Sequence, residues 1–316
     1  MVENKTIAVV IPAFGEERMI TGVVKTLPNL VDHIVVVNDC SRDSTRQIVE
    51  SLALNDGRIV LINHGVNQGC GAALTSGYQW CIKNNIDIAV RMDGDGQMNP
   101  DELPALIGPV AEGRADYAKG NRFFSGKAYE RMPKARFYGT AFLSLLTKIV
   151  SGYWHISDFQ SGYTAINKQA LNRVNWDSMY KGYGQPNDLL VLLNVENMRV
   201  VDVPVEPIYG VGEKSGLKIQ KIIFTLGWLL IKRFFWRLNE KYVIRDFHPL
   251  VFFYAMGLVF GGVTVVLFFR LFLFWYLNGH IPPINALTAM FSFISSSQFL
   301  LFGMWFDMES NKHLKG

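Results

Sequence analysis

Four apolar runs recur through the first hundred residues: Ile7–Ile11 (IAVVI), His33–Val37 (HIVVV), Arg58–Ile62 (RIVLI) and Ile86–Met92 (IDIAVRM). Continuous apolar runs of this length are the mark of strands covered on both faces, as in parallel sheets. Each of the first three leads through a loop into a helical stretch. Pro12 ends the first run, and a helix starts near Glu16 and stops at Pro28. Ser41 or Asp43 can cap the next, Thr45–Leu54, and a glycine-rich loop (NHGVNQGCG) feeds the third. Three such units ahead of a fourth strand predict an α/β fold with a mostly parallel sheet, helices on both faces and right-handed crossovers.

Ligands of such sheets sit beyond the carboxyl ends of the strands. Asp39, the Gly69/Gly71 loop and the turn Asp93-Gly94-Asp95-Gly96 all fall at those ends. Two carboxylates one residue apart, on a turn that glycines keep tight, are hard oxygen ligands suited to a divalent cation carrying phosphates. A calcium loop of the EF-hand kind needs Gly at its sixth position and Glu at its twelfth, where Met98 and Pro104 stand. A solvated acidic turn remains as the plain alternative. A Rossmann dinucleotide fold needs G-x-G-x-x-G directly after the first strand, but PAFGEE stands there and Gly69–Gly71 follows the third.

Further along, Pro100–Val110 reads as a helix, Asp116–Lys119 as a short strand leading to Gly120-Asn-Arg122-Phe, and Arg136–Val150 as a helix with an apolar face. Between them the chain is polar and basic, with Lys127, Arg131, Lys134 and Arg136. Asp158-Phe-Gln-Ser-Gly162 precedes a strand at Tyr163–Ile166. A helix over Tyr183–Met198 carries Asp188 near its start. Val200–Val205 is a strand that Pro204 confines to a sheet edge.

The chain changes character after Lys214. Over Lys214–Tyr242 apolar residues alternate with Lys218, Lys221, Lys232, Arg233 and Arg237, and Trp228 and Trp236 sit among them, a pattern suited to a membrane interface. Leu250–Leu277 and Ile284–Phe306 each exceed the roughly 20 apolar residues that span a bilayer. Lys and Arg flank the pair while the turn between carries neither, so both ends belong in the cytosol. Gly257-x-x-x-Gly261 and Ser295–Ser297 allow close helix approach, and with it a homo-oligomer through the membrane helices. A net charge of +4 without a long basic tract gives no footing for nucleic acid. Three cysteines fit reduced thiols, and Cys70 reads as a packing residue. The N-terminus lacks the flank and core of a signal peptide. The expected layout is a cytosolic catalytic domain over 1–213, an amphipathic juxtamembrane segment over 214–246, two transmembrane helices within 247–308 and a cytosolic tail over 309–316. The expected location is a multi-pass membrane protein, in the plasma membrane if the source is prokaryotic.

The order VVIPAFGEE, VVVNDCSRDST, glycine loop, MDGDGQ, GNRF, DFQSGY and paired membrane segment resembles the family 2 glycosyltransferases of GT-A fold, and among them the polyprenyl-phosphate sugar synthases. The resemblance covers about Ile7 to Gly216; the membrane part matches in layout only. It implies that Pro12, Ala13 and Glu16 lie against the base and ribose of a nucleotide-sugar donor and that Asp39 accepts a hydrogen bond from the base. Asp93, Asp95 and Gln97 would hold Mg2+ or Mn2+ on the donor diphosphate. Arg122, then Arg136 and Thr140 at the family's Arg-x-x-x-Ser spacing, would bind phosphate of donor or acceptor. The family's closing arginine is absent from Tyr209–Ser215, and Lys214 or Lys218 stands nearest to it. Asp158 or Asp188 would act as base for an alcohol acceptor. The implied activity is inverting transfer of a hexose, from GDP-mannose by analogy or from UDP-glucose or UDP-N-acetylglucosamine, to a polyprenyl phosphate at the cytosolic leaflet of the bilayer. A polysaccharide or glycolipid transferase and a non-catalytic nucleotide-sugar-binding scaffold are the alternatives.

Overall fold

The computed structural model describes residues 5–124, 134–206, 208 and 219–316, with the backbone alone at 134–137, 140 and 219–223. They fall into two compact units, Met1–Phe234 with His313–Gly316, and Phe235–Lys312.

In the first unit, β1 (Ile7–Ala13), β2 (His33–Asn38), β3 (Ile59–Asn63), β4 (Ile88–Arg91), β5 (Tyr117–Asn121), β6 (Thr164–Asn167) and β7 (Val200–Pro204) form one sheet in the order β3-β2-β1-β4-β6-β5-β7. Strands β1 to β4 are mutually parallel, β5 and β7 are parallel, and β6 runs antiparallel to both of its neighbours. Helices α1 (Ile20–Lys25), α2 (Thr45–Ala53) and α4 (Leu103–Ala111) bury Ile20, Val23, Val49, Leu103 and Ile107 against the face of β1 that carries Ile7, Val9 and Ile11. Helix α3 (Cys70–Lys83) covers the opposite face, where a Cβ at Gly77 would lie 2.2 Å from the Val10 side chain. Helix α5 spans Lys134–Ser151, and α6 (Lys168–Arg173) is a short helix that the apolar pattern does not announce.

Pro12 does not end β1. Met92 N donates to Val10 O, so Val10 faces β4, and by alternation so does Pro12, one step beyond the end of that strand. The proline's missing N–H therefore faces a position with no ladder partner. Its ring also sits where Ala13 O can still accept from Asp39 N. Edge placement of β7, with Pro204 inside it, is as expected.

Helix α7 (Gln185–Val195) is buried on every side, including Gln185, Asn187, Asp188 and Asn194. Buried polar groups need partners. Gln185 meets Arg91, Asn187 meets Thr147 and Gln160, and Asp188 meets the Tyr180 N–H and Arg233. Arg233 belongs to α8 (Ile219–Asn239), which buries Leu226, Leu229 and Leu230 and leaves Phe224, Trp228 and Ile231 exposed. The alternation of basic and apolar residues suits a membrane interface, yet Arg233 within it is a buried partner of Asp188 and of the Ser178 carbonyl.

The second unit contains the hairpin of α9 (Leu250–Asn278) and α10 (Pro283–Ser310). At 1.5 Å per residue each is about 40 Å long, and both are apolar and long enough to cross a membrane. Only 22% and 28% of their most apolar windows are buried, unlike the core helices of a water-soluble domain. Two of the small residues that allow close helix approach, Gly257 and Ser296, meet inside this hairpin. Ser296 Oγ donates to Gly257 O at 2.8 Å, and a Cβ at Gly257 would come within 2.7 Å of Leu300. At the base of the hairpin Arg237 pairs with Asp307 through two hydrogen bonds of 2.8 and 3.0 Å, both side chains 0% exposed. Tyr242 donates to the same carboxylate, and Lys241 donates to Asn311. Arg237 and Lys241, like Arg233, point inward.

Candidate active site

Register brings the chemistry to one edge. Arg91, the last residue of β4, pairs with Thr164, the first of antiparallel β6. The loop before β6 therefore opens at the same edge as the carboxyl ends of β1, β2, β4 and β5. A cleft there is lined by Asp93, Asp95, Gln97, Met98, Asn99, Glu102, Arg122, Gln160, Ser161, Gly162, Tyr163, Val205 and Glu206.

Asp95 is partly exposed and accepts from the Gln97 N–H at 3.0 Å. Asp93 is held from beneath by Arg91, whose Nε and Nη2 donate to its two oxygens at 2.9 and 3.3 Å. Arg91 is buried, and its Nη1 donates to Gln185 Oε1 at 2.7 Å, so the first turn of α7 aims the guanidinium that aims the carboxylate. Gly162 passes directly over this pair. A Cβ there would lie 2.6 Å from Asp93 Oδ2 and 3.0 Å from Arg91 Nη2. Glu16 lies against the Gly94 backbone. Its carboxyl is pushed up to about 7 by burial and by the charges of Asp95, Asp93 and Asp43. Glu16 thus feels the negative charge of the Asp93–Asp95 turn. Among the described residues no three His, Cys, Asp or Glu side chains form a ready-made metal cage. Two carboxylates that leave other positions to water and phosphate oxygens fit a hard cation carried by a diphosphate.

Arg122 follows β5, and its guanidinium is gripped by Asp158 through Nε–Oδ2 and Nη2–Oδ1 bonds of 2.6 and 3.0 Å. Burial alone would raise the Asp158 pKa, but the Arg122 bonds and charge outweigh it and hold this carboxyl below the usual range. A carboxylate so placed is a weak base; it fixes the direction of Arg122 instead. Asp188, the other acid considered as a base, is buried against Arg233 and the Tyr180 N–H and braces α7. Lys119, which sequence reasoning missed, is fully buried and donates to the Ser161 carbonyl beneath the loop. Burial pushes its pKa down to about 7.

Pro12 lies in the last rungs of the ladder with β2, and Ala13 ends β1 at this edge. Asp39, just past β2, is 3% exposed, and its carboxylate accepts from the Gln68 and Gly69 N–H groups at 2.9 and 2.7 Å. Gly69 adopts φ +96°, and a Cβ there would lie 2.5 Å from the Lys181 carbonyl oxygen, so both conformation and space call for glycine. The Cys70 thiol is pushed up by burial, as befits a packing residue. Arg91 and His64 are the further residues of this edge that sequence reasoning did not select. The side chains of Arg136 and Thr140, and all of Lys214 and Lys218, lie outside the described residues, as do Lys127 and Arg131.

A mixed sheet with an Asp-x-Asp turn, flanking arginines and a glycine loop at its carboxyl edge defines a GT-A-like sugar-nucleotide transferase fold. The sequence model of the family described as Glycosyl transferase family 2 matches residues 8–174, and the chain belongs to that family. It is 32% identical over 219 residues to the UDP-N-acetylglucosamine–dolichyl-phosphate N-acetylglucosaminyltransferase of Methanococcus voltae, covering 65% of this chain and 87% of the relative. It is 30% identical over 225 residues to the polyprenol monophosphomannose synthase of Mycolicibacterium smegmatis, covering 69% and 84%. Among solved structures, glucosyl-3-phosphoglycerate synthase of Mycobacterium tuberculosis, in complex with Mn2+, UDP-glucose and glycerol 3-phosphate, superposes with a TM-score of 0.50 at 22% identity, over 74% of this chain and 80% of that one. That likeness concerns the fold.

Proposed function

We propose that this glycosyltransferase moves a sugar from a nucleotide diphosphate donor to a polyprenyl phosphate, with inversion at the anomeric carbon, at the cytosolic face of a membrane that the α9–α10 hairpin enters. The observation that carries this reading is the joint placement at one sheet edge of Asp93, Asp95 and Glu16 with the Asp158-braced Arg122. Relatives named for lipid-phosphate acceptors and two helices apolar enough for a bilayer support it. Relatives named for N-acetylglucosamine and for mannose match almost equally, so the donor is to be read from assay across UDP-N-acetylglucosamine, UDP-glucose and GDP-mannose.

In this reading Pro12, Ala13, Glu16 and Asp39 border the base and ribose, and Asp93, Asp95 and Gln97 hold Mg2+ or Mn2+. Such a cation, when bound, supplies positive charge to the departing diphosphate oxygens. Arg122, oriented by Asp158, presents its guanidinium to phosphate in the cleft, and Arg136, Thr140 and Lys214 extend that set. A lipid phosphate has a second pKa of about 6 and is ionised at neutral pH. It needs alignment rather than a strong base, which agrees with the low basicity of Asp158. An oxygen of the acceptor phosphate bonds to the anomeric carbon as the bond to the donor diphosphate breaks, and no proton need move.

Purified protein given each nucleotide-sugar should release nucleoside diphosphate faster when a polyprenyl phosphate in detergent is added. No stimulation with any donor contradicts the lipid-phosphate acceptor. Gly162 offers a second check. In Gly162→Ala the new methyl displaces the Asp93–Arg91 pair, and Mn2+ affinity, read by electron paramagnetic resonance, should weaken about tenfold. Unchanged affinity in the folded variant would show that this pair does not set the cation site.

A further inference from the structure

We infer that His64 is a positioning residue for nucleotide recognition: it holds Asp39, and through Asp39 the glycine loop, in the conformation that meets the donor's base. The inference rests on the reading above that this corner receives a nucleotide. His64 follows β3 and is almost buried, with 8% of its side chain exposed against 4% for Asp39. Its Nδ1 lies 2.7 Å from Asp39 Oδ1, and its Nε2 lies 2.9 Å from Ser76 Oγ on α3. With Nδ1–H donated to the carboxylate, Nε2 accepts the serine hydroxyl. The chain Asp39–His64–Ser76 thus ties the ends of β2 and β3 to α3.

Asp–His–Ser in this order also serves nucleophilic catalysis, where the serine sits on an exposed turn. Ser76 lies instead inside α3, beside buried Leu74 and Gly77, and its hydroxyl is the anchor of the chain. The working end is Asp39. Its Oδ1 accepts from His64 and from the Gln68 N–H, and its Oδ2 accepts from the Gly69 N–H. Those two amides belong to the loop that starts α3, so the rotamer of one carboxylate sets the loop. Three bonds also leave Oδ2 room for one further donor, the position at which a base N–H would bind. Removing the imidazole frees the carboxylate to rotate and the loop with it.

The test titrates UDP and GDP, each with Mn2+, into the full-length protein and its variants by calorimetry, and follows amide exchange over residues 65–71. His64→Ala should weaken the nucleotide that the wild type binds about tenfold and speed exchange at Gln68 and Gly69, with KM for the donor rising more than kcat falls. His64→Asn, whose amide N–H can replace Nδ1–H toward Asp39, should stay within about threefold of wild type. Should His64→Ala not fold, Ser76→Ala removes the anchor alone and should weaken binding about threefold. Wild-type affinity and exchange in His64→Ala, or in Ser76→Ala where that variant decides, overturns the inference. So does equal damage in His64→Asn and His64→Ala, which would make ring volume the cause. A wild type that binds neither nucleotide defeats the reading of the site, while the exchange comparison still decides whether His64 holds the loop.

Discussion

Asp95→Ala is expected to lower cation-dependent sugar transfer about a thousandfold while leaving the protein as stable as wild type or slightly more so. The two halves of this result have separate causes. Asp95 is partly exposed in the cleft, so trimming it to alanine opens no cavity in the core. It also relieves Glu16, whose carboxyl is pushed up to about 7 in part by Asp95 itself. Function and stability pull in opposite directions at such a position, as expected where like charges are gathered for a ligand. Turnover with Mg2+ and Mn2+, set beside thermal unfolding without metal, measures both. Undiminished turnover removes Asp95 from the cation site. Asp93 should behave differently, because alanine there leaves Arg91 buried without its carboxylate and costs stability as well as activity.

Much of the fold is legible in the sequence because apolar runs and turn residues report local structure directly. Direction of travel is not. The run before Asn167 looks like the earlier strands, yet β6 runs antiparallel between β4 and β5. An apolar strand pattern reads the same in both directions, so only the path of the connection decides. Pro12 misleads for a related reason. A proline is excluded from a ladder only where its N–H would have had a partner, and whether a partner exists depends on where β4 stops.

The site divides along the same line. Asp39, Asp93, Asp95 and Arg122 stand at strand ends, where position alone marks them. Arg91 also left a trace, as a charged residue in the middle of IAVRM. Its meaning depends on Gln185, 94 residues away, and on the close passage of Gly162. Helix α7 hides its nature most fully. Gln185, Asn187 and Asp188 look like a wet face by pattern, and only their distant partners make them tolerable inside. Arg233, Arg237 and Lys241 mislead in the same way, since a long basic side chain near an apolar helix reads as interfacial until a buried acid or amide is found for it.

The pair Arg237–Asp307 makes the strongest stability prediction. Both side chains are fully buried, and the carboxylate also accepts from Tyr242 and from the Asn311 side chain. Taking one member away leaves the other charge buried without the group that grips it in two bonds, a loss of about 3 to 5 kcal/mol. Asp307→Ala should therefore unfold the second unit at markedly lower temperature in detergent, and Arg237→Ala should do the same. Replacing both together, as Arg237→Met with Asp307→Leu, should recover most of the loss, because an apolar pair of similar volume can equal a buried ion pair. The contrast separates two roles for the charges. If only the single variants fail, the pair contributes little net stability, and its retention reflects a need to fix the register of the Arg237 turn against α10. If the double variant fails as badly, Tyr242, Lys241 and Asn311 form one network with the pair and depend on it. A single variant as stable as wild type would mean that water or lipid headgroups reach the base of the hairpin and take the lost partner's place.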